Sequence, residues 1–336
     1  MGAVPVSVFN GNFPFNDPVW LDMWMAAPDT RTLAMLNSGI MVDDAVLTQK
    51  ISGGGYDLVS PFMNVLGGPT ANYDGNTDIP VEGVSASFSR GVVYGRSQAW
   101  TERDFAADIS GSDPEGHVAA SLAKFWNGQK HTILIQMLNG LFSATSADPL
   151  TTQFTDMHTL ETGLPVSVTD FNRLATRALG DNRNVFRAIV MHSHVASVLE
   201  DLNLIDFDKY TRPDAFAHGG RIGSLRGWLV IEDDGVPVNG DEYHSYLIGN
   251  GVIRRANAPV SNPAHLGYEA LTNGGEWTLS TKIREGILIN GAQYTSPAGA
   301  SESPTNDELA DGANWRISYS PKAIPLARLI TTEDWS

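Results

Sequence analysis

The longest periodic pattern in the chain begins within the stretch SGSDPEGHVAASLAKFW, residues 110–126. Apolar residues recur there at helical spacing, at Val118, Leu122, Phe125, Ile133, Met137 and Leu141. Ser112 and Asp113 are favourable N-cap residues, and Pro114 follows at a position that tolerates a missing N–H. No proline interrupts the pattern before Pro149. We therefore predict a helix from residue 114 to about residue 142, roughly 29 residues and about 43 Å in length.

A second pattern, in residues 69–100, alternates polar and apolar positions with the period of a β-strand. Serines at 85, 87 and 89 alternate with Val84, Ala86 and Phe88. The preceding stretch GGPTANYDGNTD has the composition of a loop. A hairpin that is only half apolar would make a poor core element. We therefore expect a two-stranded arm that reaches out from the body of the protein.

The remainder of the chain mixes helix and strand patterns. The stretch SVTDFNRLATRALGDN predicts a second helix, capped by Ser167 or Thr169. Residues 186–192 predict a strand, which a helix beginning at Ser193 follows. Further strands are predicted in RGWLVIEDDGVPV, in EYHSYLIGNGVI, as a pair in EWTLSTKIREGILIN, and near the C-terminus. The predicted fold class is α+β.

The first 60 or so residues contain many prolines and many large apolar side chains, among them Trp20 and Trp24. The prolines prevent any long helix in this segment. An aromatic segment with little regular structure needs a surface on which to lie. That surface belongs either to the same molecule or to a neighbouring one.

Composition limits the classes of function. The chain has 336 residues, no cysteine and a net charge of −16. This charge argues against a protein that grips nucleic acid with its whole surface, because such binding needs lysine and arginine at the phosphates. The lack of cysteine excludes disulfides, thiolate metal sites and cysteine nucleophiles. No apolar run is long enough to cross a bilayer and the N-terminus does not resemble a signal peptide, so we expect a soluble protein without a membrane partner.

The motifs that could carry chemistry are weak. His192 and His194 could contribute to a zinc site, and the acidic residues of 232–235 could bind Ca²⁺ or Mg²⁺. The histidines, however, lie at a predicted strand-to-helix junction, and Asp234 with Gly235 is a typical turn. The chain lacks a G-x-S-x-G nucleophile motif and the G-K-[ST] of a phosphate-binding loop. We therefore predict no catalytic residue, no metal site and no cofactor.

Several short motifs follow one another in a specific order. They are SG at 38–39, PFM at 61–63, LGG at 66–68, AW at 99–100, DFAAD at 104–108, SGSDP at 110–114, Trp126, the segment 189–207, DDGVPV at 233–238 and YHSYLIGNGVI at 243–253. In order and spacing they resemble the major capsid proteins of tailed bacteriophages, which have the Hong Kong 97-type fold. The resemblance covers roughly residues 35–330.

The resemblance implies five segments. Residues 1–60 would form an N-terminal arm, and residues 61–111 an extended E-loop hairpin with its flanking strands. Residues 112–189 would form a peripheral domain with a long spine helix, residues 190–312 a mixed α/β axial domain, and residues 313–336 a return to the peripheral domain. The implied function is structural: self-assembly through hexamers and pentamers into an icosahedral head shell that encloses double-stranded DNA.

The resemblance also implies partners and a location. The expected partners are a portal, decoration proteins and packaged DNA that is contacted non-specifically. The subunit would assemble in the host bacterial cytoplasm and would be part of the virion. Some relatives weld subunits through a Lys–Asn bond with the lysine on the E-loop. Residues 66–100 contain no lysine, so we expect no such cross-link. Other relatives carry a charged helical N-terminal extension that acts as a fused scaffold. In this sequence the aromatic N-terminal arm is not preceded by such an extension, so we expect a separate scaffolding protein.

The segments of the resemblance also indicate residues at contacts between subunits. Aromatic residues of the N-terminal arm would bury against a neighbour, and charged residues near the base of the hairpin would form ion pairs with it. These interface candidates are Trp20, Trp24, Arg90, Arg96, Arg103 and Asp104.

Two other classes of function remain open from the sequence. One is an encapsulin-like protein nanocompartment, which shares the fold and encloses enzyme cargo. The other is a soluble hydrolase that uses His192, His194 and the loop of Asp233 and Asp234. The hydrolase hypothesis requires those side chains to converge in one pocket.

Overall fold

A computed structural model of the protein describes residues 39–64, 66–103, 115–202, 204–207, 222–272, 275–299 and 301–332. Within these ranges, only the backbone is described at residues 102, 103, 115–120, 168, 206, 207 and 222. Among the described residues, no helix is both long and apolar enough to span a membrane.

Helices and two large sheets make up the described part of the chain. The helices are α1 (Ala45–Ser52), α2 (Glu115–Phe142), α3 (Pro149–His158), α4 (Val168–Leu179), α5 (Ser193–Asp201) and α6 (Asn306–Ala310). The strands are β1 (Met41–Asp43), β2 (Leu58–Met63), β3 (Ala86–Arg103), β4 (Thr159–Glu161), β5 (Phe186–Met191), β6 (Asp206–Phe207), β7 (Ile222–Leu225), β8 (Trp228–Glu232), β9 (Val238–Asn239), β10 (Glu242–Gly249), β11 (Ile253–Asn257), β12 (Ala264–Glu269), β13 (Glu276–Ile289), β14 (Ala292–Tyr294), β15 (Trp315–Ile317) and β16 (Leu326–Thr332). Short 3₁₀ turns span Gly180–Val185, Gly312–Asn314 and Pro321–Ala323.

The first sheet is built around the two longest strands. Its order is β1-β11-β13-β3-β14-β15, with β2 paired to β3 and β12 paired to β13. β3 and β13 run antiparallel from the pair Val92 and Ile287 to the pair Arg103 and Glu276. Strand β12 pairs with the Glu276 end of β13, and β2 pairs with the part of β3 that precedes Val92.

The second sheet has the order β4-β16-β10-β5-β8-β7-β6, with β9 paired to β10. Helices α4 and α5 cover it through a core that includes Phe171, Leu174 and Leu199. Ser167 and Asp170 form a capping box at the start of α4, as their spacing favours. His192 caps α5, because its Nδ1 accepts a hydrogen bond from the backbone N–H of His194 at 3.1 Å.

Helix α2 joins the two sheets. The prediction of a helix ending near residue 142 is confirmed over residues 115–142; the cap residues 112 and 113 lie outside the described residues. Its first half packs through Leu122, Ala123 and Trp126 on Leu279 of the first sheet. Its second half, from Ile133 to Phe142, lies in a core that receives residues from both sheets.

Two of the differences between the structure and the predicted elements concern strands. The first strand of the hairpin is β2, which precedes the predicted stretch, and residues 66–85 form no regular secondary structure. The predicted strand pair near residues 276–290 is the single strand β13, since Gly286 lies within the strand, close to Ile51 and Leu58, rather than at a turn.

The five segments that the resemblance implies stay a prediction. Strand pairing crosses their boundaries, because β11 to β14 join the first sheet with β3, and β16 joins the second sheet with β5 and β10.

Candidate assembly interface

The arm, defined here as residues 64–85, connects β2 to β3, and its described residues (64 and 66–85) are largely uncovered. Tyr73 is 95 % exposed, Val81 92 %, and Leu66 and Ile79 76 % each. Several large apolar side chains exposed along one segment are typical of a contact with another molecule. The described part of the chain therefore leaves this segment without a covering surface.

The arm is nevertheless shaped by local contacts. At its base, Asn64 donates hydrogen bonds from Nδ2 to the hydroxyls of Ser85 and Ser87, at 2.9 and 3.2 Å. At its tip, Asp74 accepts hydrogen bonds from the backbone N–H groups of Asn76 and Thr77, and these bonds lower the pKa of its carboxyl group. The two limbs of the arm thus leave and enter the sheet at one place.

Two of the predicted interface arginines have partners within the same molecule. Arg90 donates two hydrogen bonds to the Asp57 carboxylate, from Nε at 2.8 Å and from Nη2 at 3.0 Å. The hydrogen bond to Asp57 raises the pKa of the Arg90 guanidinium. Because both side chains are substantially exposed, this pair contributes little to the stability of the free subunit.

Arg96 lies against the segment before α6. Its Nη2 donates to the carbonyl oxygen of Pro304 at 2.8 Å and to Oδ1 of Asn306 at 2.9 Å. Its guanidinium also lies 5.6 Å from the centre of the Tyr94 ring, and burial lowers its pKa. Arg96 therefore holds the 301–306 segment against β3. The side chain of Arg103, and all of Trp20, Trp24 and Asp104, lie outside the described residues.

Two clefts lie along the long strand β3. One, of 470 Å³, lies beside α2 and is lined by Arg96, Phe125, Trp126 and Gln129, among others. The other, of 390 Å³, contains Tyr56 and the pair of Arg90 and Asp57, among others.

A buried charge cluster connects β3, β11, β13 and α2. Glu285 of β13 is 3 % exposed. Its carboxylate accepts a hydrogen bond from the Tyr94 hydroxyl at 2.7 Å and lies 3.4 Å from Nζ of Lys130 on α2. Nε of Arg255 lies 3.9 Å away, and Arg255 also makes two hydrogen bonds to Asp43 of β1. Burial raises the pKa of the Tyr94 hydroxyl. The sequence offered no signal for this cluster, since its members are far apart along the chain.

Polar contacts also tie α2 to the second sheet. The imidazole Nε2 of His131 contacts the Asp233 carboxylate, and both residues are buried. At the end of α2, Nη2 of Arg328 donates to the carbonyl oxygen of Phe142 at 3.2 Å. A cation at this position is favourable, because the C-terminal end of a helix carries partial negative charge.

The structure brings three residues of the hydrolase hypothesis close together: Nε2 of His192 lies 3.8 Å from Oδ1 of Asp234, and the ring centres of His192 and His194 are 6.3 Å apart. Their remaining contacts are structural. Asp233 faces His131 of α2, and its backbone N–H donates to the Met191 carbonyl. Asp234 accepts a hydrogen bond from the backbone N–H of Ser193 at 3.2 Å, and His194 hydrogen-bonds the Tyr243 hydroxyl at 2.6 Å. The described residues contain no group of three or more histidine or acidic side chains arranged to hold a metal ion.

Comparisons with known proteins fit this architecture. No family model matches the chain. The major capsid protein of Bacillus phage SPP1 is 30 % identical to it over 306 residues, which cover 89 % of this chain and 91 % of that protein. The solved capsid of Ralstonia phage GP4 aligns with a TM-score of 0.56 at 11 % identity and covers 89 % of each chain. A chain from Mycobacterium phage Che8 aligns with a TM-score of 0.51 at 12 % identity, over 85 % of this chain and 88 % of that one.

The solved structures establish the fold, and the identity to the SPP1 protein establishes the family. The mixed α/β architecture is a phage capsid fold. The identity to the SPP1 protein favours a phage capsid protein over the encapsulin and hydrolase alternatives. The subunit is a structural component of a virion shell rather than an enzyme. The chain belongs to the family of tailed-phage major capsid proteins.

Proposed function

We propose that the subunit assembles through hexamers and pentamers into an icosahedral head shell that encloses a double-stranded DNA genome. The observation that carries this proposal is the exposure of the apolar arm, residues 64–85, in the isolated chain. Burial of each large apolar side chain in a contact contributes about 1.5–3 kcal/mol. The arm therefore gains its stabilisation when a neighbouring subunit covers it.

The surface that receives the arm is, in this proposal, the cleft beside α2 on the next subunit. Phe125 is partly exposed there, and Trp126 and Gln129 line the same cleft. The arm would act as the E-loop and α2 as the spine helix. The aromatic residues Trp20 and Trp24 of the N-terminal arm stay proposed interface residues. So do the charged residues Arg90, Arg96, Arg103 and Asp104.

The test removes apolar surface from the arm without altering the body of the protein. In the double variant Ile79→Ser and Val81→Ser, the free subunit should unfold at an unchanged temperature, because both side chains are exposed. Shell formation, followed by light scattering and electron microscopy, should be strongly reduced. The control, Ile79→Val with Val81→Ile, keeps the apolar surface and should assemble normally. Equal assembly of both variants would contradict the proposed role of the arm.

The proposal includes shells held together without covalent cross-links. Residues 66–100 contain no lysine. Nearby lysines have other contacts: Lys50 donates to the Val59 carbonyl at 2.8 Å, and Lys130 pairs with Glu285. Boiling assembled shells in detergent should release single subunits on a denaturing gel. A ladder of covalent oligomers would refute this part of the proposal.

The remaining partners are a separate scaffolding protein, a portal, decoration proteins and the packaged DNA, with assembly in the host bacterial cytoplasm. Expression of this chain alone should give open lattices or shells of mixed size, and co-expression with the scaffolding protein should give uniform closed shells. Uniform closed shells from this chain alone would show that it needs no separate scaffold.

A further inference from the structure

Arg90 and Arg96 have hydrogen-bond partners within the same molecule. A second group of arginines has few acidic partners among the described residues. Residues 168–187 carry four arginines and two aspartates, whereas the whole chain has a net charge of −16, so the remainder carries −18. One of the two aspartates, Asp170, is buried and accepts a hydrogen bond from the Ser167 backbone in the helix cap. This segment is therefore a positively charged region on an acidic molecule.

The arginines are placed on an exposed surface. Arg173 and Arg177 lie one turn apart on the outer side of α4, whose opposite side packs into the core through Phe171 and Leu174. Arg183 follows in the 3₁₀ turn, and Arg187 is the exposed residue at the start of β5. We call the three exposed arginines of α4 and the 3₁₀ turn, together with the exposed Arg187 that follows them in the chain, the arginine face.

Arg183 is held in place on α4 by neutral groups. Its Nη1 donates to Oδ1 of Asn172 at 2.9 Å and to the hydroxyl of Thr176 at 3.3 Å. These two bonds use the donors of Nη1, and within the described residues Nε and Nη2 have no acceptor. The free edge of the guanidinium presents the parallel pair of N–H donors that a carboxylate accepts in a bidentate hydrogen bond.

The second aspartate of the segment, Asp181, is exposed in the same 3₁₀ turn as Arg183. The other three arginines are largely free of acidic partners. Arg173 lies 3.6 Å from Asp170, but its side chain is 69 % exposed. Arg177 and Arg187 make no ion pair in the part of the chain that the structure describes. The 3₁₀ turn Pro321–Ala323 packs against α4 and adds the exposed Lys322. Strand β4, which also contacts α4, contributes the exposed Glu161, so the region keeps its excess of positive charge.

We propose that the arginine face is a subunit interface that receives carboxylates of a second copy of this chain. The proposal rests on the assembly function above and names a site for it. Charge complementarity carries it, because a second copy presents a net charge of −18 outside its own arginine face. A pre-positioned guanidinium such as that of Arg183 loses less conformational freedom on binding than a mobile one.

The test compares two pairs of substitutions that change the charge equally. One is Arg177→Gln with Arg183→Gln; the control is Lys124→Gln with Lys282→Gln, two lysines that are also exposed. Both variants should fold and unfold as the wild-type subunit does. The arginine variant should need about fivefold to tenfold more protein to form shells, and the control should not. This difference from wild type should shrink as salt is raised, because salt screens exposed ion pairs.

The outcomes separate the proposal from its alternatives. Assembly of the arginine variant at the wild-type concentration would overturn it. So would normal assembly combined with a selective loss of binding to short duplex DNA, which would assign the surface to the genome. If the wild-type chain itself forms no lattice or shell under any condition, the proposed assembly function fails instead.

Discussion

Two glycines of helix α2 allow a test of how this helix packs against the C-terminal part of the chain. Gly128 and Gly140 both lie inside α2. In an open helical position, Gly→Ala stabilises a protein by about 0.5–1 kcal/mol, because alanine has the higher helix propensity. A Cβ atom at Gly128 would meet nothing within 4 Å. We therefore expect Gly128→Ala to stabilise the subunit by that amount.

Gly140 lies where another segment crosses the helix. A Cβ atom there would lie 2.1 Å from the carbonyl oxygen of Leu309 and 2.6 Å from Nε1 of Trp315. These two groups form a buried hydrogen bond of 2.8 Å with each other. The new methyl group cannot be accommodated unless backbone and indole both move. Overpacking costs about 1–3 kcal/mol, and a weakened buried hydrogen bond costs about 1 kcal/mol more. Gly140→Ala should destabilise the subunit by about 2–4 kcal/mol.

Urea unfolding of the purified, unassembled subunit measures both variants under the same conditions. The midpoint should rise for Gly128→Ala and fall for Gly140→Ala, with unchanged slopes. Near-ultraviolet circular dichroism of Gly140→Ala should also change, because Trp315 contacts the Tyr294 ring with the ring centres 5.1 Å apart. If Gly140→Ala stabilises the protein as Gly128→Ala does, the segment around Leu309 does not cross α2 at this position and the packing described here is wrong.

Three further predictions concern buried charges and a helix cap. Glu285→Gln should lower the unfolding free energy by about 1–3 kcal/mol, because the Tyr94 hydroxyl loses a charged acceptor and Lys130, whose side chain is 30 % exposed, loses its counter-charge; adding Lys130→Met should recover part of this loss in the same urea titration. Burial lowers the pKa of His158 and of His244 from 6.5 to about 4. Each histidine should therefore contribute stability above pH 6.5 that is lost as the pH falls toward 4, and His158→Gln or His244→Gln should flatten this dependence. Asp148→Ala should cost about 1 kcal/mol, since Asp148 accepts a hydrogen bond from the Leu150 N–H at the start of α3.

The sequence predicted best those elements whose signal is local. Helix α2 has a long 3.6-residue period, and its predicted and observed ends agree within a residue. Helix α3 was not predicted, because Pro149 was interpreted only as the residue that ends the helical pattern of α2. The same proline occupies the first turn of α3 behind the Asp148 cap, where its ring fits the helix.

Contacts between distant segments could not be predicted from local patterns. The serine alternation that indicated a strand does lie at the start of β3, but its partner strand β2 contains Pro61 and is too short to show a period. Arg90 and Arg96 are interface candidates because they lie on the hairpin that the resemblance implies. Their partners within the molecule, Asp57 and Asn306, could not be predicted because they are separated from them by 33 and 210 positions. The charge cluster at Glu285 could not be predicted for the same reason: it forms only once α2, β3, β11 and β13 have packed together.

The central claim, that this chain is a shell-forming capsid subunit, is tested most directly by electron microscopy of the purified protein expressed alone. The account predicts curved lattices or shells built from hexamers and pentamers. A uniform population of monomers or small oligomers that form no lattice at any concentration would contradict it.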